Sequence, residues 1–308
     1  MFIAILRRLL SSILVILGVV TTVFVIQRLV SDPVSPYVSS NMSSGDIEQL
    51  RHTLGYDQPW WDQFLTFLGR VLTGQLGTSR VYGMPVIDVV ARAAPITFTI
   101  VILALVLSLV VGVALGILSA VYKGSWVDST IMSWSMLGQA LPAFWLAILL
   151  ILIFSVSLRW LPAGGYGTVP QLVLPVLALS ANSANQFARV VRSEMIEVLS
   201  QDYIRTAKAQ GVGDFRIFIR HAFRSSLLPV VTVLGVQLSV LITSTVVIEQ
   251  VFSVPGVGRL LFNSIMQNDY AVTQAIAIYA AIVVTLVNLV VDISYTWLDP
   301  RIKLGAQS

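Results

Sequence analysis

Long windows free of charge constrain this chain more than any other feature. Counted between flanking ionisable residues, six of them stand out. Arg8 to Arg28 encloses 19 residues, Arg92 to Lys123 encloses 30, Asp128 to Arg159 encloses 30, and Arg159 to Arg189 encloses 29. Arg224 to Glu249 encloses 24 and Asp269 to Asp292 encloses 22. A hydrocarbon core of about 30 Å takes about 20 apolar residues of helix. Continuous runs of this kind exclude barrel strands, which are short and alternate. The expected fold is all-α: a polytopic membrane protein with six transmembrane helices. Composition agrees, since only 11% of the residues are charged where a soluble domain carries about 25%.

An even number of spans puts both termini on one side, and the side follows from Lys/Arg bias. With cytoplasmic termini, twelve Lys/Arg fall on inner segments and seven on outer ones. The opposite topology would push the most basic loop outward. Arg7 and Arg8 before an apolar run resemble a signal peptide. That run is long, however, and no small-x-small cleavage pattern follows Gln27-Arg28-Leu29-Val30, so an uncleaved first helix is expected. The resulting layout is a cytoplasmic tail and first helix (1–30), a large external loop (31–94), and a core of five helices (95–308) with a cytoplasmic loop at 189–226. Tyr122 to Asp128, between the second and third windows, predicts a tight hairpin.

The external loop opens polar and turn-rich, then predicts a helix at Ile47 to Leu54. Trp60, Phe64, Phe67, Leu68 and Leu72 follow at helical spacing, as in a helix lying at the membrane interface. Gly83 to Pro95 reads as a further short helix before the second span. The loop serves either as a cap packed on the spans or as a docking surface for an external soluble protein, and the two uses are compatible.

Seven Lys/Arg crowd into the 36 residues from Arg189 to Arg224. Phe215, Phe218, Ile219 and Ala222 form one apolar stripe, while Arg216, Arg220 and Arg224 recur on another face. Gly211 and Gly213 break the helix carrying Tyr203, Ile204 and Ala207. The pattern is helix, turn, helix, then Pro229 at the entry to the fifth span. Such a segment can rest on anionic lipid or fit a groove on a cytoplasmic partner; nucleic acid is a poor match for so short a loop tied to a bilayer.

The stretch Asp202-Tyr203-Ile204-Arg205-Thr206-Ala207-Lys208-Ala209-Gln210-Gly211, with Arg220-His221-Ala222, Arg224 and Leu228-Pro229, resembles the cytoplasmic loop of ABC importer permeases of the oligopeptide, dipeptide and nickel class. The acid and first alanine of the general E-A-A-x-x-x-G pattern are replaced here, and the Gly-to-Pro spacing is longer; both departures fit the peptide class. Five further stretches resemble the same class: DQPWWDQFLTFL, GQLGTS, the turn Leu161 to Tyr166, the segment Val251 to Val272, and Leu298 to Lys303. The resemblance thus runs along essentially the whole chain. It implies a second homologous permease subunit, two cytoplasmic ABC ATPase subunits and an external solute-binding protein, all in or at the bacterial inner membrane. It implies uptake of dipeptides, oligopeptides, glutathione or a metal chelate. It also implies that Tyr203, Arg205, Thr206, Ala207, Gly211, Phe215, Arg216 and Arg220 couple the permease to the ATPase.

Absences narrow the reading. The chain has no cysteine, hence no disulfide or thiolate chemistry. No G-x-x-x-x-G-K-[ST] occurs, so any ATP and magnesium would be bound by partner subunits, and no cofactor is expected in this chain. Two histidines, His52 and His221, fall on opposite sides of the membrane, and no catalytic constellation surrounds either. Polar residues inside spans are candidates for a translocation path: Gln139, Asn182, Asn185, Gln237, Thr243, Ser244 and Asn288. The alternative for each is an interhelical hydrogen bond. Gly112 and Gly116 form a G-x-x-x-G that predicts close helix packing, and Glu249 and Asp292 are placed at interfacial depth. A stand-alone secondary transporter or channel is the rival function; it lacks an evident midplane carboxylate for ion coupling. A scaffolding subunit without a pore fits poorly with the polar fifth span.

Overall fold

The computed structural model describes residues 2–30, 34, 38, 41–213 and 224–298, and the described residues are almost wholly helical. The helices are α1 (Phe2–Val30), α2 (Ser44–Thr53), α3 (Trp60–Thr73), α4 (Val86–Val121), α5 (Trp126–Ala140), α6 (Ala143–Leu150), α7 (Val169–Leu199), α8 (Asp202–Ala209), α9 (Arg224–Val251), α10 (Val257–Met266) and α11 (Tyr270–Leu298). A π-helical turn, Ile151–Ser157, continues α6. Among the described residues, four helices are long and apolar enough to cross a membrane: α1, α4, α9 and α11. The pair α5 and α6 with its π-turn makes a fifth when taken as one broken span. The remaining charge-free window is covered by α7, whose polar Asn182, Ser183, Asn185 and Gln186 dilute its hydropathy.

Two details depart from the sequence expectation. The short helix expected before the second span is continuous with it: α4 runs 36 residues through Pro95. An internal proline removes one backbone bond, and α4 tolerates that loss. The third window, expected to hold one transmembrane helix, holds two segments bent by 104° between α5 and α6. Pro142 disfavours helical backbone at the residue before it, and Leu141 is extended at φ −84, ψ 125.

The chain divides into two compact units, Met1–Pro95 with Leu260–Leu289, and Ile96–Arg259 with Val290–Ser308. In the first, α3 packs on α1. The Phe24 ring meets Phe64 at 5.3 Å and Phe67 at 5.6 Å between centroids. Arg28 donates to Gln63 Oε1 at 2.9 Å and lies over the rings of Phe24 and Tyr56. The buried Asp269 ties the loop to the start of α11, accepting from Ser79 Oγ at 2.5 Å and from the Val81 amide at 3.3 Å. The segment 41–85 is therefore folded, with α3 packed on α1, rather than a linker. Its α2 starts in a capping box, Ser43 with Asp46.

In the second unit α7 is the centre, packed against α5, α6 and α9. Its core combines Ile100, Val101 and Ala104 of α4 with Leu174, Ala178 and Leu179 of α7 and Leu241, Ile248 and Phe252 of α9. A Cβ at Gly112 would lie 2.5 Å from the Ala184 carbonyl oxygen, and one at Gly116 would lie 2.7 Å from that of Ala188. The G-x-x-x-G thus lets α4 and α7 approach almost backbone to backbone, the contact that substitutes for hydrophobic drive inside lipid.

Candidate functional site

The segment α8 is short and sharply two-sided. Ser200 and Gln201 turn the chain out of α7, and Asp202 opens α8 with an acid in its first turn, where the helix dipole favours one. Ile204 is 1% exposed and anchors the helix, whereas Tyr203 is 50% exposed. Arg205 and Thr206 are exposed as well. Thr206 Oγ1 donates to the Asp202 carbonyl at 3.1 Å, and Arg205 lies 3.6 Å from the Asp202 carboxylate. An exposed pair at that distance contributes little stability. The Arg205 side chain therefore remains available to an outside partner. After Ala209 the chain reverses at Gly211, where φ is +81 and no atom would touch a Cβ. Backbone conformation, not crowding, requires glycine there. Ala207 belongs to α8, but its side chain lies outside the described residues, as do Phe215, Arg216 and Arg220 altogether.

Ten residues before this segment, on α7, Arg192 forms an ion pair that the charge-window reading missed. Arg192, in the last third of α7, donates from Nε to Asp128 Oδ1 at 2.7 Å and from Nη2 to Oδ2 at 2.8 Å. Asp128 is buried, and it also accepts from Ser119 Oγ and, at 2.9 Å, from the Gly124 amide. In the sequence Asp128 marked only a window edge, and Arg192 counted only as loop charge. The available signal was Ser125 three residues before Asp128, an N-cap pattern that the structure uses: Ser125 Oγ accepts from the Asp128 amide.

The polar candidates for a translocation path are distributed unequally. Gln139, Asn182 and Thr243 are exposed, and Ser244 is half-buried. Asn185 packs its amide on Gly138 of α5. Gln237 is buried and accepts from Ser183 Oγ at 2.9 Å, an α7–α9 hydrogen bond. Asn288 is exposed on α11, in the other unit. Glu249, at the end of α9, is fully buried. Its carboxylate accepts from Thr97 Oγ1 at 2.6 Å and from the amides of Gly258 and Arg259 at 2.7 and 3.2 Å. The amide of Val257 in turn donates to Thr97 Oγ1 at 2.8 Å. Glu249 thus caps the start of α10.

Among the described residues, several helices long and apolar enough to cross a membrane define a polytopic membrane protein. Residues 112–304 match the binding-protein-dependent transport system inner membrane component, and residues 1–101 match the N-terminal region of such components. The chain belongs to this family and is a multi-pass permease subunit of an ABC importer of the bacterial inner membrane. It is 36% identical to the oligopeptide transport system permease protein AppB of Bacillus subtilis, over 97% of this chain and 98% of that one. It is 37% identical to the glutathione transport system permease protein GsiC of Escherichia coli, over 94% of this chain and 97% of the other. The fold is shared with an inward-facing structure of the MetNI methionine ABC transporter. There the TM-score is 0.59 at 17% identity, over 69% of this chain and 97% of that one. A subunit of this kind works with ATPase and solute-binding components.

Proposed function

We propose that this chain is one of two homologous permease subunits through which an ATP-driven importer takes up peptides or a similar small polar solute, such as a dipeptide, an oligopeptide, glutathione or a metal chelate. Six spans with both termini in the cytoplasm put the segment from Asp202 to Arg224 inside the cell, where one of two ATPase subunits docks on it. The observation that carries this reading is the two-sidedness of α8: one side chain, Ile204, is anchored in the protein, while Tyr203, Arg205 and Thr206 face outward. ATP and magnesium are bound by the ATPase partners, consistent with the lack of any Gly-Lys pair in this sequence. The permease itself then has no catalytic role. Peptide-like cargo is supported by the full-length similarity to oligopeptide and glutathione permeases. An external solute-binding protein delivers the cargo over the folded segment 41–85.

The test is purification of the tagged full-length chain from its native membrane in mild detergent, followed by mass spectrometry of what accompanies it. Recovery of P-loop ATPases and a second permease is expected. In that complex Gly211→Pro should abolish solute-stimulated ATP hydrolysis, because proline's φ near −65° cannot replace +81. Recovery of the chain alone, transporting in liposomes without ATP, would instead establish a secondary transporter or channel.

A further inference from the structure

The Asp128–Arg192 pair does more than an exposed ion pair can. Both carboxylate oxygens are occupied by the two-pronged guanidinium, Oδ1 also by the Ser119 hydroxyl and Oδ2 also by the Gly124 amide. The four donors come from three places: the last turns of α4, the hairpin at Gly124 (φ +78), and α7. A planar fork meeting a carboxylate fixes orientation as well as distance. The surroundings are equally tight. Phe187, Val191 and Met195 of α7 pack with Ala120 of α4 and Val230 of α9, and Gly116 abuts Ala188 and Val191. Arg192 stands two helical turns before the end of α7 at Leu199, and α8 begins three residues later at Asp202. At its far end α5 leads into the 104° bend, with Gly138 seated on Asn185 of α7.

Resting on the reading of α8 as the docking helix, we infer that Asp128 and Arg192 are positioning residues for coupling. They clamp the start of α5 and the end of α4 to α7, so that a displacement received at α8 reaches the exposed Gln139 at the far end of α5. Without the clamp, α7 would move and α5 would lag, and ATP turnover would no longer reorganise the path. A chain of packed helices transmits a shift only where the joints have no slack.

The absence of cysteine makes the test clean, because the thiol of a Gln139→Cys variant is the only one in this chain. The purified complex in proteoliposomes is labelled at that thiol with a membrane-impermeant maleimide, with and without ATP and vanadate. ATPase rate and thermal stability are measured in parallel. In the otherwise unaltered complex, ATP with vanadate should change the labelling rate. Adding Asp128→Asn should reduce that ATP response by about tenfold, within the span of ordinary coupling strengths, while the basal ATPase rate persists. Arg192→Lys keeps the charge but loses the fork, and should fall between. If Asp128→Asn does not assemble, Arg192→Lys carries the test alone. An undiminished ATP response in the assembled variants overturns the clamp. A thermal shift without a change in ATP response also overturns it and leaves the pair a purely structural brace. No ATP response in the parent complex refutes the docking reading beneath it.

Discussion

Removal of the Glu249 carboxylate is the sharpest perturbation the structure offers. Two of its hydrogen bonds come from backbone amides at the start of α10, Gly258 at 2.7 Å and Arg259 at 3.2 Å, which cannot turn elsewhere. The third comes from the Thr97 hydroxyl, which can rotate. A buried donor left without an acceptor costs about 1–3 kcal/mol, with bonds to a charged acceptor at the upper end. Two orphaned amides, one of them in a long bond, therefore cost about 4 kcal/mol in Glu249→Ala. Glu249→Gln keeps the shape and one acceptor oxygen. It loses only the charge-assisted part, about 1 kcal/mol.

The turn between α9 and α10 reports this cost. Val254 lies in it, is fully buried, and its amide donates to the Glu249 carbonyl at 2.8 Å. A thiol introduced by Val254→Cys reacts only when the turn opens, so its labelling rate measures local opening free energy. At 1.36 kcal/mol per decade, Glu249→Ala should accelerate labelling by about 1,000-fold, and Glu249→Gln by less than about tenfold. Equal acceleration in the two variants, or none in Glu249→Ala, would refute the assignment of Glu249 as the cap that seats α10.

Three outcomes follow from other contacts. Gly112→Ala should lower the temperature at which the detergent-solubilised protein stops eluting as a single species. Its Cβ would sit 2.6 Å from that of Phe187, and overpacking of this kind costs about 1–3 kcal/mol. The matched control Gly69→Ala, in α3 with nothing within 4 Å, should leave that temperature unchanged or raise it, since alanine gains about 1 kcal/mol over glycine in a helix. The backbone amide of Ser43 and then its hydroxyl hold the Asp46 carboxyl below its ordinary 3.8. That stabilisation of α2 is complete above pH 3.8 and is lost as pH falls through the depressed value. The protection of α2 amides, measured against the intrinsic exchange rate at each pH, should therefore fall on acidification, and Asp46→Asn should remove that loss of protection.

The helices were legible because a bilayer demands long apolar runs, and every charge-free window holds helix. The joints were not legible. Pro95, Pro142, Pro175 and Pro229 look alike in sequence, yet three sit inside helices and Pro142 alone marks a break. What separates them is whether neighbouring helices hold the chain through the missing bond, and no single-chain pattern contains that. At Tyr203 to Gly211 the helix and its glycine turn were visible because glycine is a local signal, whereas the burial of Ile204 was not. Asp128 and Glu249 were visible only as the ends of windows, because their partners lie 64 residues away at Arg192 and 152 away at Thr97.

Those long-range partners reveal a common device. Asp128, Glu249 and Asp269 are all buried carboxylates, and each stands at the start of a helix: α5, α10 and α11. Each also takes a hydroxyl from a distant or preceding segment, from Ser119, Thr97 and Ser79 respectively. A helix start offers unpaired amides and positive potential, so a carboxylate there is stabilised where a bare buried charge would not be. Between these polar joints the helices meet through small or apolar residues, Gly112 and Gly116 of α4 against α7 and the Leu–Ile–Phe core around Ala178, which lack directional bonds. Directional bonds fix the helix ends, and non-directional contacts between them permit sliding. That division suits a permease that changes shape without unfolding, since apolar contacts can slide while the bonds at the helix ends stay made.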